Sequence, residues 1–125
     1  MSEHHPPQSF WSRYVFSTDH KVIGIQYLST GLLMAVVGGF LSYLFRMQLA
    51  FPGKALPLMG ALSPANYNVC VTMHGTIMIF WVAMPILLAA FGNLLIPTMI
   101  GAPDMAFPKL NMASYWIFFV STLVL

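Results

Sequence analysis

Residues 22–45 read Val-Ile-Gly-Ile-Gln-Tyr-Leu-Ser-Thr-Gly-Leu-Leu-Met-Ala-Val-Val-Gly-Gly-Phe-Leu-Ser-Tyr-Leu-Phe, 24 positions without a charge. As an ideal α-helix this stretch reaches about 36 Å, more than the roughly 30 Å hydrocarbon core of a bilayer. Residues 69–103 form a second run whose only titratable side chain apart from Cys70 is His74. Residues 110–125 form a third run of 16 residues. It reaches only about 24 Å, short of the ~20 residues a span requires. Composition agrees, with 58% hydrophobic and 6% charged residues, against about 25% charged in soluble domains. Mean hydropathy is +0.77. The chain therefore reads as an all-α membrane protein: transmembrane helices over about 22–45 and 69–96, and the start of a third from 112 to 125 and beyond. A helix cut off inside hydrocarbon leaves carbonyls with neither partner nor water. We expect either the beginning of a longer membrane protein or a partner chain that completes the third helix.

Residues 1–15 read as a polar tail, with Met-Ser-Glu-His-His-Pro-Pro expected to be disordered. It is no secretory signal, which needs a short basic segment followed directly by an apolar one. Residues 16–125 form the membrane part. The net charge of +2 contains no basic cluster, so nothing points to nucleic acid. With the N-terminus inside, Arg13, Lys21 and Lys109 lie inside against Arg46 and Lys54 outside, which leans towards a cytoplasmic N-terminus. Cys70 is the single cysteine, excludes an internal disulfide and suits a helix contact.

Ser17, Thr18 or Asp19 is placed to cap the first helix, and Arg46 to end it. Residues 48–68 collect turn formers: Pro52-Gly53, Pro57, Gly60, Ser63-Pro64 and Asn66. Pro85 should kink the second helix. Pro97, Pro103 and Pro108 exclude a continuous helix from 97 to 108, and Asn111 or Ser114 is a candidate cap for the third.

Four kinds of residue stand out. His74, on a membrane segment, is either a polar side chain bonded across helices or a neutral imidazole ligating heme iron, with Gly75 leaving room for a macrocycle edge. Arg46 either snorkels at the interface or donates to a polar heme substituent. Asp104 is a turn former in Pro-Asp-Met or a proton collector at the mouth of a water-filled path. Asn93 and Asn111 serve turns and helix contacts, or orient waters near that acid through their carboxamides. The methionines and aromatics around 73–84 read as packing.

The chain closely resembles the N-terminal portion of subunit I of the heme-copper oxygen reductases, of the cytochrome c oxidase type. The matching residues run in order: Ser17-Thr18-Asp19-His20-Lys21-x-Ile23-Gly24, Arg46, Tyr67-Asn68, Thr72-Met73-His74-Gly75, Met84-Pro85, Phe91-Gly92-Asn93, and Ile100-Gly101-Ala102-Pro103-Asp104-Met105-Ala106-Phe107-Pro108. The resemblance implies a bundle of about twelve transmembrane helices that reduces oxygen to water and pumps protons. It implies that His74 is one axial ligand of low-spin heme a and that Arg46 hydrogen-bonds its formyl group. It makes Asp104 the entrance of the D proton channel, with Asn93 and Asn111 just inside. The N-terminus and Asp104 would face the cytoplasm or matrix, and His74 would lie towards the other side.

The high-spin heme a3, the copper CuB and the second low-spin ligand would be held by residues outside this segment. The segment therefore contains no catalytic residue and is not expected to turn over alone. Implied partners are the rest of subunit I, a copper-bearing subunit II, subunit III, cytochrome c as donor, and the lipid bilayer. The chain departs from the family in places. Gln48 replaces a glutamate of a structural cation site, and Val22 replaces an acid of animal mitochondrial members. Ala89-Ala90 replaces Gly-Gly, and Met112 replaces a second asparagine. These departures point to a bacterial plasma membrane rather than a mitochondrion. Val37, Leu41 and Gly-Ala-Pro-Asp, where quinol-oxidising relatives carry an arginine, an aspartate and Gly-Ala-Arg-Asp, favour cytochrome c as donor. The other reading is a truncated or split, non-catalytic module that binds heme or packs against partners. Any coding sequence beyond Leu125 separates the two.

Overall fold

A computed structural model describes residues 9–54 and 60–125. The expected disorder of residues 1–7 and the turn former Pro57 lie outside the described residues. Three long helices carry the chain: α1 (His20–Ala50), α2 (Pro64–Ile100) and α3 (Pro108–Val124). α1 and α2 are long and apolar enough to cross a membrane. The chain divides into two compact units: one holds the chain up to Leu28 with Leu88–Leu125, the other Ser29–Leu87.

All three helices start earlier than the sequence reading places them, and α1 and α2 also end later, because caps and turn formers set the ends. At α1, Asp19 Oδ1 accepts the Lys21 amide at 2.9 Å and Asp19 carbonyl accepts the Ile23 amide. Asp19 is therefore the cap among the three candidates. Arg46 does not close α1. The run Arg-Met-Gln-Leu-Ala contains only good helix formers, and the helix stops just before Pro52-Gly53. At α2, Ser63 Oγ accepts the Asn66 amide, and Pro64 sits at the first helical position, where its missing N–H costs nothing. Pro108 plays the same part in α3, so Asn111 and Ser114 lie inside that helix rather than capping it. The expected polar tail is already wound at Trp11–Val15, where the Phe16 amide reaches back five residues to the Trp11 carbonyl. Gln26 Nε2 donates to the carbonyls of Tyr14 and Val15 and holds that turn.

Pro85 widens α2 rather than ending it. Turns of the wider i→i+5 type occupy Ile77–Ala83 and Pro85–Ala90, and the Met84 amide bonds the Ile79 carbonyl. This is how a helix accommodates a residue without an N–H and with a ring that crowds the preceding turn. In the unit Ser29–Leu87, Leu44 and Cys70 form the core, with Leu41, Phe45, Met47 and Leu62 around them. In the other unit, Ile23, Tyr27, Ala90 and Tyr115 do so. Leu32, Leu33, Val36, Leu87, Leu88 and Met99 stand exposed. Apolar surface of that extent is costly in water and costs nothing against lipid or further helices.

Candidate functional site

Asp104 sits in the short connection from α2 to α3. α2 ends where Gly101 takes φ +72°, a conformation open to glycine at no steric cost. The Ala102 amide then reaches the Pro97 carbonyl at 2.9 Å and the Gly101 amide that of Thr98, which closes the helix end and turns the chain. Three residues on, Asp104 Oδ1 accepts the Met105 amide at 2.7 Å. The same oxygen lies 3.0 Å from His20 Nδ1. With the carboxyl ionised, the ring nitrogen is the donor. His20 is the first residue of α1 and is 4% exposed, whereas the Asp104 side chain is 40% exposed. Its Nε2 is buried without a partner among the described residues. An open cleft of about 770 Å³ reaches this pair, lined among others by Ser17, Thr18, Lys21 and Pro103.

Partial burial works to raise the Asp104 pKa. The Met105 amide and the His20 ring outweigh it, and the carboxyl is held below its ordinary 3.8. A lowered carboxylate pKa stabilises the fold at pH above the ordinary value, and this contribution is lost as pH falls through the folded value. We expect the Met105 amide to keep constant hydrogen-exchange protection above about pH 5 and to lose it at more acid pH. Protection that stays flat down to about pH 2 would contradict the pairing.

Deeper in the same unit lies a connected set of polar side chains. Asn93, on α2 and 4% exposed, donates to the Ala89 carbonyl at 2.7 Å. The Asn111 amide, on α3, donates to Asn93 Oδ1. Ser114 Oγ donates to the Asn111 carbonyl at 2.6 Å, and Tyr27 Oη on α1 lies 3.0 Å from Ser114 Oγ. A hydroxyl has one hydrogen, so Tyr27 is the donor to Ser114. The asparagines thus join each other, while Asp104 joins His20, and no hydrogen bond links the two groups among the described residues. The sequence gives no sign of the parts His20, Tyr27 and Ser114 play here. His20 lies 84 positions from Asp104 and Tyr27 lies 87 from Ser114, separations that leave no local signal.

In the other unit, His74 Nδ1 lies 2.8 Å from the Gly38 carbonyl. A carbonyl only accepts, so Nδ1 carries the hydrogen and the lone pair is on Nε2. Nε2 makes no hydrogen bond among the described residues. The Phe45 ring meets the imidazole edge to face at 5.6 Å. Side chains added at Gly39 or Gly75, the chain neighbours of Gly38 and His74, would meet nothing within 4 Å. Arg46 is exposed and stands eight residues beyond Gly38, about 12 Å along α1. These features fit an axial ligand with space for a flat macrocycle. Gln48, where a cation-site glutamate would stand, uses its Oε1 to accept the Leu62 amide at 3.0 Å. No cluster of three metal-ligating side chains occurs among the described residues.

The profile described as Cytochrome C and Quinol oxidase polypeptide I matches residues 22–125. The alternative cytochrome c oxidase subunit 1 of Bradyrhizobium diazoefficiens is 46% identical over 119 residues, covering 95% of this chain and 20% of the relative. The cytochrome c oxidase subunit 1 of the mussel Mytilus edulis is 46% identical over 110 residues, 88% of this chain and 19% of that protein. That of Thermostichus vulcanus is 42% identical over 117 residues, 94% and 20%. The chain spans about a fifth of the length of the relatives it matches.

Proposed function

The chain belongs to the cytochrome c and quinol oxidase polypeptide I family, and on that premise we propose that it serves the catalytic subunit of a respiratory terminal oxidase, supplying a ligand to the low-spin heme and the mouth of a proton path. The family is a membrane-embedded, heme- and copper-binding group of oxidases. The observation that carries the reading is the 2.8 Å contact from His74 Nδ1 to the Gly38 carbonyl, which frees Nε2 for iron.

His74 would hold the iron of a low-spin heme a, which would supply one-electron transfer, and Arg46 would offer its guanidinium to a polar group of the cofactor. The second axial ligand, heme a3 and CuB belong to the rest of subunit I. Asp104, in the open cleft, takes a proton from water, and its lowered pKa makes it release that proton readily rather than store it. His20, whose Nε2 is buried without a partner among the described residues, is a relay beside it. Asn93, Asn111, Ser114 and Tyr27 orient waters along the next stretch without titrating at neutral pH. Val37 and Leu41 support cytochrome c rather than quinol as donor. Subunits II and III complete the complex in a bacterial plasma membrane, with the N-terminus and Asp104 on the cytoplasmic side.

The test is oxygen uptake by membranes of a respiration-deficient host expressing the full-length subunit with its partners. Reduced cytochrome c should support cyanide-sensitive uptake together with proton release outside. Uptake driven by quinol alone would overturn the donor assignment, and no uptake by a fully assembled complex would overturn the reading as a whole.

A further inference from the structure

The wound turn before α1 carries a patch of rings. Phe10 is 67%, Trp11 65% and Tyr14 48% exposed. They touch one another: Phe10 meets Trp11 edge to face at 6.3 Å and Tyr14 at 5.1 Å. The Arg13 guanidinium lies 5.5 Å from the centre of the Tyr14 ring. Clustered apolar rings of this kind are costly in water and mark a surface that something else covers.

The turn is fastened at a definite level. Gln26 Nε2 donates to the Tyr14 carbonyl at 2.7 Å and to the Val15 carbonyl at 3.1 Å. Gln26 stands four residues past Val22, where the uncharged run opens, about 6 Å along α1. Helical side chains lean towards the helix N-terminus, so the two acceptors stand level with the first apolar turn. Phe16 stacks on Trp116 at 5.3 Å. Trp116 stands six residues past Leu110, where the third apolar run opens, about 9 Å along α3. Both fastenings lie on apolar stretches of helix, so the rings are held beside the start of those stretches. α1 is long and apolar enough to cross a membrane. The level at which its apolar run opens is the boundary between headgroups and acyl chains. Trp and Tyr favour that boundary, because it takes up their apolar faces and leaves N–H and O–H wet. A guanidinium at that level reaches headgroup phosphates, while its stem stays on apolar surface.

We propose that Phe10–Tyr14 is a lipid-binding knuckle: Phe10, Trp11 and Tyr14 insert at the headgroup boundary beside α1, Arg13 binds the phosphate of an anionic phospholipid, and Gln26 is the positioning residue that holds the turn at that depth. The inference rests on α1 crossing the bilayer and is independent of the roles of His74 and Asp104.

The test puts a photoreactive side chain into the knuckle, as Trp11→benzoylphenylalanine, in the full-length subunit assembled with its partners. The complex is embedded in vesicles of phosphatidylglycerol and phosphatidylcholine in equal parts. Illumination should attach phospholipid to position 11, read by mass spectrometry. Attachment to a peptide of the subunit or of a partner would mean that protein covers the rings, and would overturn the proposal. No adduct in an assembled complex would place the rings in water and overturn it equally. Arg13→Gln in the same background should lower phosphatidylglycerol adducts about fivefold relative to phosphatidylcholine, the share of one cation at an anionic surface. An unchanged ratio would overturn the phosphate contact. Gln26→Ala unfastens the turn and should cut lipid adducts severalfold, and undiminished adducts would overturn its positioning role. If the position-11 variant fails to assemble, Phe10→benzoylphenylalanine reads the same contact from the neighbouring ring, with the same outcomes.

Discussion

Replacing His74 with alanine in the full-length subunit should abolish the low-spin heme signal. The reduced-minus-oxidised spectrum should lose that band and keep the high-spin contribution, whose ligands the proposed function places outside this chain. Alanine carries no lone pair, and its short side chain leaves a gap where the imidazole stood. The geometry offers no substitute, since no other histidine is described on α2. Turnover should fall by more than about a hundredfold, because even outer partners of metal ligands carry roughly 10–100-fold and the ligand itself carries more. Retention of the high-spin signal shows that the protein has assembled. A normal spectrum would sink the assignment of His74.

Asp104→Asn should leave both hemes in place and slow the reaction at a different step. Asparagine has the same shape, and its carbonyl oxygen can still accept from the Met105 amide and the His20 ring, so the α2–α3 connection is kept. The change removes the one property the carboxamide lacks, the capacity to bind and release a proton. Proton transfer through a positioned acid is typically worth about 10²–10⁴-fold. We expect turnover to fall about a hundredfold, the lower end of that range, or proton pumping to be lost at retained turnover, with normal heme spectra. Normal turnover together with a normal proton-to-electron ratio would remove Asp104 from the path. The two variants separate the two sites, since one loses an optical band with its electrons and the other keeps the band and loses protons.

Element type was legible for the three long helices, because uncharged runs of helical length have only one economical form in hydrocarbon, whereas the wound turn at Trp11–Val15 lies in a stretch that reads as polar tail. Element ends were less legible. Pro64 and Pro108 look like breakers in sequence, but each occupies a first helical position where proline is favoured. Arg46 looked like a terminus because it is charged, but charge does not break a helix, and the break comes at Pro52-Gly53. Pro97 and Pro85 lie within α2, where a neighbouring wide turn or an approaching helix end absorbs the lost hydrogen bond.

The sequence by itself determined that this is a helical membrane chain, singled out His74 and Asp104 as candidates, and carried an ordered set of motif residues that resembles one family. These properties are local: hydropathy, charge and ordered motif residues survive in one dimension. Only the tertiary structure decided which partner each side chain meets. The Gly38 carbonyl lies 36 positions from His74, and His20 lies 84 from Asp104. A backbone carbonyl has no sequence signature at all, since every residue carries one. It meets the His74 ring only where a missing Cβ lets two helices close to hydrogen-bond distance.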